Sequence, residues 1–259
     1  MEPSLIGVGV GPGAPDLITV RALSVLRKAD KVFGPTMAEN AVGRAESILR
    51  EAAPEVHVER LIFAILGDEH ARTEAHNLAA RRVIESLEVG ETVAFITLGD
   101  PNIYSTFFHL AAAVQKLRPN TPVETVPGIM AFQDLAALSK TFVVDGVERL
   151  HLISAVDGVG ALDKALLDPQ SAVVMYKGGR YCPEVAKNLT AVGRLDGAVY
   201  GELLGLPGER VGPLKDIADR PAAYLTSIII PPVRDAMPST RGEAESDAVE
   251  SSLSESQRP

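Results

Sequence analysis

A chain of 259 residues, 46% hydrophobic and 23% charged, is long enough to bury one large core or two modest ones, and its composition excludes a disordered or collagen-like polymer. With 25 basic against 34 acidic residues the net charge is −9, which argues against a nucleic-acid binder held by phosphate contacts and against a basic membrane-surface protein. The single cysteine, Cys182, permits neither an intrachain disulfide nor a cysteine-only zinc cage, which fits a reducing compartment. The first apolar run breaks at once into Gly7, Gly9, Gly11 and Gly13, and no window is apolar for long enough to span a bilayer, so a soluble cytoplasmic protein is expected.

In chain order, Leu5 to Val10 reads as a strand, and Thr19 offers an N-cap to a helix ending near Asp30 with Val20, Leu23 and Leu26 on one face. Lys31 to Phe33 predicts a second strand, Val56 to Arg60 a third, Thr73 to Leu87 a helix with Leu78, Val83, Ile84 and Leu87 apolar, and Thr92 to Thr97 a buried strand. The turn Gly99-Asp100-Pro101 precedes a helix over Ser105 to Leu117, a strand over Val123 to Val126, the turn Pro127-Gly128 and an apolar helix from Ala131 to Leu138. The stretch Ser139 to Arg149 interrupts this rhythm. Beyond it, strands are predicted at Leu150 to Ser154, Ala172 to Tyr176, Ala198 to Glu202 and Tyr224 to Ile230, with helices at about Val159 to Leu167, Pro183 to Val192 and Pro213 to Ala218.

The alternation predicts a layered α/β fold with largely parallel strands, and one sheet of about nine strands would be unusually wide, so two sheets are expected. Residues 1–139 then form an N-terminal α/β domain and residues 140–234 a C-terminal one. From Asp235 onward six acidic residues face two arginines among serines, with no apolar periodicity, and residues 235–259 are expected to be a disordered acidic tail.

Three strand ends carry small residues. In the first, Gly9, Gly11 and Ala14 satisfy the dinucleotide spacing G-x-G-x-x-A, but Pro12 and Pro15 remove two amide donors from the turn, and the second strand ends in Phe33-Gly34-Pro35 instead of an acidic residue. A dinucleotide-dependent oxidoreductase is therefore disfavoured, and the glycines fit a tight turn packed on its helix as well as they fit a ligand. At the second, Asp100 suits a helix cap or an acceptor for an amine or ribose. The third, Val126-Pro127-Gly128-Ile129-Met130-Ala131, suits a flat ligand lying against backbone or simple packing. His57, His70, His76, His109 and His151 show no metal-ligand spacing, and no metal is implied.

The ordered combination of GVGVGPGAPDLIT, LGDPNIYST, VETVPGIMA and MYKGG resembles the tetrapyrrole methylase family over about residues 4 to 231. That resemblance implies two α/β domains with the active site in the cleft between them, S-adenosylmethionine as methyl donor, and a homodimer. Tyr-Ser-Thr directly after Gly-Asp-Pro-Asn-Ile resembles the branch that methylates precorrin-2, or its cobalt-containing analogue, at carbon 20 in cobalamin synthesis; a uroporphyrinogen methyltransferase is the nearest alternative. Carried over residue by residue, the donor contacts are Pro12, Leu98, Gly99, Asp100, Ile103, Met130, Ala131, Lys177 through its backbone, and Leu204. Leu98 stands where many members have glycine, and Met130 where many have threonine or serine. The resemblance turns Gly9, Gly11 and Gly13 toward the tetrapyrrole. An electron-rich bridging carbon attacks a sulfonium methyl without a protein nucleophile, which leaves the protein orientation and desolvation. Tyr104 and Asp100 are the candidates to assist the departing proton, and Lys177, Arg149 and Arg180 the candidate cations for a polycarboxylate substrate.

Overall fold

The computed structural model describes residues 3–38, 40–63 and 69–234; the tail expected from residue 235 lies outside the described residues. The first half runs β1 (Leu5–Gly9), α1 (Val20–Lys28), β2 (Lys31–Thr36), α2 (Arg44–Ala52), β3 (Glu59–Ile62), α3 (Glu69–Glu88), β4 (Val93–Thr97), α4 (Thr106–Leu117) and β5 (Val123–Val126). These strands form one sheet in the order β3-β2-β4-β1-β5, every pair parallel.

Both faces of this sheet are covered, which is why β1 and β4 are buried at every position. Ile6, Val8, Ala94 and Ile96 pack with Ala22 of α1 and Ile48 and Leu49 of α2. Their neighbours in sequence, Leu5, Val93 and Phe95, point the other way onto Val83 and Leu87 of α3 and Phe107 and Leu110 of α4. Helix ends are fixed by the expected chemistry: the Thr19 hydroxyl accepts the Ala22 amide at 3.1 Å, and the Ser105 hydroxyl accepts the Phe107 amide at 3.1 Å.

Two helix faces differ from the sequence reading. Val20 is 85% exposed and Leu78 65% exposed, because Ala22 and Leu26 set the inner face of α1, while Ala79, Ala80, Val83 and Leu87 set that of α3. Small alanines pack closely against a sheet, and a hydrophobicity pattern weighted toward leucine overlooks them. Helix α2 lies where no element was expected. Its Glu46 is 1% exposed and accepts from Arg60 Nε at 2.8 Å, with Arg50 on its other oxygen. Burial pushes the Glu46 carboxyl upward, but the two guanidiniums outweigh it and hold its pKa below the usual value. A depressed folded-state pKa adds stability that is present above the unfolded carboxylate pKa and is lost as pH falls through the folded value. Glu46→Gln is therefore expected to shallow the acid limb of a melting-temperature profile against pH.

The second half runs α5 (Ala131–Ser139), β6 (Arg149–Ser154), α6 (Gly160–Leu166), β7 (Ser171–Tyr176), α7 (Cys182–Ala191), β8 (Val199–Glu202), β9 (Arg210–Pro213) and β10 (Thr226–Ile230), with strand order β6-β7-β10-β8-β9. The expectation of largely parallel strands fails here. Only β6 and β7 are parallel; β10 runs antiparallel to both β7 and β8, and β8 to β9. The segment 203–209 between β8 and β9 is too short for a crossover, which needs about a dozen residues, so the chain turns straight back. Strand β9 was missed because glycine and proline dilute its pattern, and the helix expected over Pro213 to Ala218 is a single 3-10 turn, Leu214–Ile217.

One face of this sheet carries α6 and α7 over Val173, Met175, Ile228 and Ile230. The other carries α5, whose fully buried Leu135 packs with Val174, Leu204 and Ile229. The last helix before the interruption at Ser139 thus covers the second sheet.

Candidate active site

The turns that leave β1, β4 and β5 converge. Gly99 donates its amide to the Gly11 carbonyl at 2.8 Å, and both residues have positive φ, +68° and +82°. A Cβ on Gly9 would lie 2.7 Å from the Gly128 backbone and would meet the Gly99 carbonyl, and a Cβ on Gly128 would meet the same carbonyl, so three turns touch through backbone alone. Asp100 ties them together. Its Oδ1 accepts from the Asn102 amide at 2.8 Å and its Oδ2 from the Gly128 amide at 3.0 Å. The helix that follows is capped by Ser105, not by Asp100.

The second sheet meets this cluster at two places. Gly13 sits against the Leu204 carbonyl and Gly205, leaving no room for a side chain on Gly13. The Tyr104 hydroxyl donates to the Leu152 carbonyl of β6 at 2.8 Å, and its ring lies edge-on to Tyr176 at the end of β7, centroids 6.0 Å apart. Tyr104, Lys177 and Leu203 all have left-handed backbone, with φ of 49°, 59° and 55°. Three such residues at the meeting of two sheets mark a place where local strain is held by the surrounding fold.

Between the two sheets lies a cavity of about 600 Å³, with Asn102, Tyr104 and Thr125 on one side and Ser154, Val156 and Lys177 on the other. Lys177 is half-buried, and burial pushes its ammonium pKa down. The Tyr176 hydroxyl is shielded from solvent, and burial pushes its pKa up.

Most sequence-predicted site residues come to this junction. Pro12 is buried in the first turn, Leu98, Gly99 and Asp100 are half-buried at the end of β4, and Ile103 is exposed beside Tyr104. Met130 caps α5, its amide donating to Gln133 at 2.8 Å, and Ala131 opens that helix against the second-sheet core. The Leu204 side chain is buried beneath α5, so only its backbone faces the glycine-rich turn. Arg180 donates to the carbonyl of Val156, a cavity-lining residue, at 2.8 Å and lies over the Tyr181 ring, but does not itself line the cavity. Arg149 is not brought here: it begins β6, whose far end is Ser154, and pairs with Asp168 at 2.6 Å. Sequence reasoning did not single out Tyr176, Ser154, Val156 or Thr125. Tyr176 and Thr125 had a signal, as parts of the quoted MYKGG and VETVPGIMA runs; Ser154, at the end of a strand, and Val156, in the turn after it, had none.

The model of the Tetrapyrrole (Corrin/Porphyrin) Methylases matches residues 4–218. The chain belongs to the tetrapyrrole methylase family. Within that family it is 32% identical over 239 residues to a precorrin-2 C(20)-methyltransferase of Sinorhizobium, covering 89% of this chain and 96% of that one. It is 31% identical over 233 residues to a cobalt-precorrin-2 C(20)-methyltransferase of Salmonella typhimurium, covering 89% and 97%. The fold is also that of the uroporphyrin-III C-methyltransferase of Thermus thermophilus, solved in complex with S-adenosylhomocysteine, with a TM-score of 0.60 at 20% identity over 87% of this chain and 96% of that one. The mixed α/β architecture with two sheets is thus the family's own.

Among the described residues no group of three or more His, Cys, Asp or Glu side chains is placed to hold a metal ion, and no helix is long and apolar enough to cross a membrane. Tyr104→Phe is expected to lower stability by about 1 kcal/mol, the usual net value of one hydrogen bond, through loss of the Leu152 contact. Chemical denaturation checks this, and turnover of the same variant tells whether the hydroxyl has a further part in catalysis.

Proposed function

We propose that the protein is an S-adenosylmethionine-dependent C-methyltransferase that methylates precorrin-2 at carbon 20 to give precorrin-3A in cobalamin synthesis. The observation that carries this reading is the near end-to-end match to two relatives named for carbon-20 methylation, one of precorrin-2 and one of its cobalt form. The Asp100-Pro101-Asn102-Ile103-Tyr104-Ser105-Thr106 run supports the same branch. We further propose that the two sheets mark two domains, with α5 carried by the second, and that the enzyme works as a cytoplasmic homodimer.

The fit to the donor rests on the turns. Gly9 and Gly128 close against each other and against the Gly99 carbonyl, while Gly99 itself leaves open space where a Cβ would stand, and Asp100 fixes the Gly128 turn beside it. When bound, the donor supplies an electrophilic methyl group. Asp100 orients the turns that would contact it, and Tyr104 holds the second sheet against the first. Alignment of this kind supplies a large part of the barrier reduction when the nucleophile belongs to the substrate. Both carboxylate oxygens of Asp100 and the hydroxyl of Tyr104 already bond within the protein, so each is assigned a positioning role.

Incubation with carbon-13 methyl-labelled donor and either precorrin-2 or cobalt-precorrin-2, followed by NMR of the product, tests the assignment. One label at carbon 20 is expected. Label at pyrrole carbons 2 and 7 after incubation with uroporphyrinogen would move the protein to the uroporphyrinogen branch, and no transfer to any tetrapyrrole would overturn the reading.

A further inference from the structure

The cavity between the sheets has an electrostatic character opposite to that of the chain. The protein carries a net charge of −9, yet no aspartate or glutamate lines this space, and Lys177 is the one lysine or arginine on its wall among the described residues. Several other charges withdrawn from solvent have partners, Glu46 with Arg60 and Arg50, Glu202 with Arg210, and Glu148 with Arg234, whereas half-buried Asp134 is, like Lys177, without an ion pair among the described residues but does not line this cavity. Arg194 bonds two carbonyls through one nitrogen, while its Nε and its other terminal nitrogen are buried without a partner. Lys177 has no ion pair among the described residues, although it is half-buried and its backbone is left-handed at φ 59°. A partly desolvated ammonium without an anion raises the energy of the folded chain, and no ion pair among the described residues offsets that cost. That cost is offset if a ligand supplies the anion.

Resting on the function proposed above, we infer that the Lys177 ammonium binds a carboxylate of a ligand in this cavity, carried either by the amino-acid end of the methyl donor or by an acid side chain of the tetrapyrrole acceptor. The family resemblance gives Lys177 a backbone contact to the donor, and of the three cations the sequence offered to a polycarboxylate, Lys177 is the one whose residue lines this cavity. The side chain is placed for a separate task, since the polar groups beside it, Asn102, Tyr104, Thr125 and Ser154, are neutral and hydrogen-bonding, so that an anion meets no repulsion. Burial that lowers the ammonium pKa also strengthens its attraction to an incoming carboxylate, because the local dielectric is low.

Lys177→Met keeps length and removes charge, and Lys177→Arg keeps charge. Calorimetry with S-adenosylhomocysteine and with 5′-methylthioadenosine, which lacks the amino-acid end, is combined with the KM for precorrin-2. The methionine variant is expected to lose about 10- to 100-fold in affinity for whichever ligand supplies the carboxylate, with arginine restoring most of it. Weakened S-adenosylhomocysteine with unchanged 5′-methylthioadenosine assigns the donor; a raised precorrin-2 KM with unchanged S-adenosylhomocysteine assigns the acceptor. A folded methionine variant with all three values within twofold of wild type overturns the inference while leaving the methyltransferase reading intact. A wild-type protein that neither binds S-adenosylhomocysteine nor methylates a tetrapyrrole overturns both. Should the methionine variant fail to fold, acylation of Lys177 in the wild-type protein, read by mass spectrometry, decides the matter: protection by one of these ligands supports the inference, and equal labelling with and without each of them overturns it.

Discussion

Gly128→Ala is expected to reduce methyl transfer at least a hundredfold and to lower the melting temperature. The added Cβ would collide with the Gly99 carbonyl oxygen and approach the Gly9 Cα at 2.8 Å and its carbonyl carbon at 2.9 Å. All three are backbone atoms, so no side chain can swing aside, and the turns after β1, β4 and β5 must separate. Overpacking of this kind costs about 1 to 3 kcal/mol in stability. The effect on rate is larger, because a displacement of about 1 Å in a group that positions a substrate is enough for a hundredfold loss. Gly160→Ala is the control. That glycine opens α6 with nothing within 4 Å of an added Cβ, and alanine there should leave both melting and turnover near wild type. Wild-type turnover in Gly128→Ala would show that the contact between the turns does not shape the site.

Asp100→Ala should weaken donor binding by about a hundredfold. Its two oxygens accept amides from two different turns, Asn102 next to it and Gly128 after β5. Hydrogen bonds to a charged group contribute about 1.5 to 3 kcal/mol each, and alanine removes both at once, freeing the turn that leads into Met130 and Ala131. Asp100→Asn keeps one acceptor and is expected to fall between alanine and wild type. Calorimetry with S-adenosylhomocysteine gives the affinity, and the same variants assayed for turnover separate a positioning role from a chemical one. An alanine variant that binds the donor within twofold of wild type would refute the role assigned to Asp100.

Much of the site was legible because its parts lie at strand ends, where local patterns speak clearly. A strand-like run followed by Gly-Pro-Gly, Gly-Asp-Pro or Pro-Gly marks a strand and its turn from a few residues, and the three turns so identified are the three that touch in the structure. The order of the motifs was enough to place the chain in its family, which the match over residues 4–218 shows. Other features were illegible for equally local reasons. Helix α2 is short and polar, with a buried glutamate whose tolerance depends on Arg60, a residue from a different strand. Strand β9 has a glycine and a proline among its four residues.

Sequence by itself determined the alternation of strands and helices, the three turns and the family, because each depends on residues near one another in the chain or on an ordered set of short motifs. Tertiary structure alone decided that β8, β9 and β10 run antiparallel, that α5 covers the second sheet, and that Arg149 stands at the far end of β6 from the cavity. It also decided that Asp100 bonds Gly128, 28 positions on, and that Tyr104 reaches Leu152, 48 positions on. The physical reason is common to all of these. A residue's type fixes what it can bond or bury, but which partner it meets across tens of residues is set by how whole sheets pack, and the same side chain carries no mark of that choice.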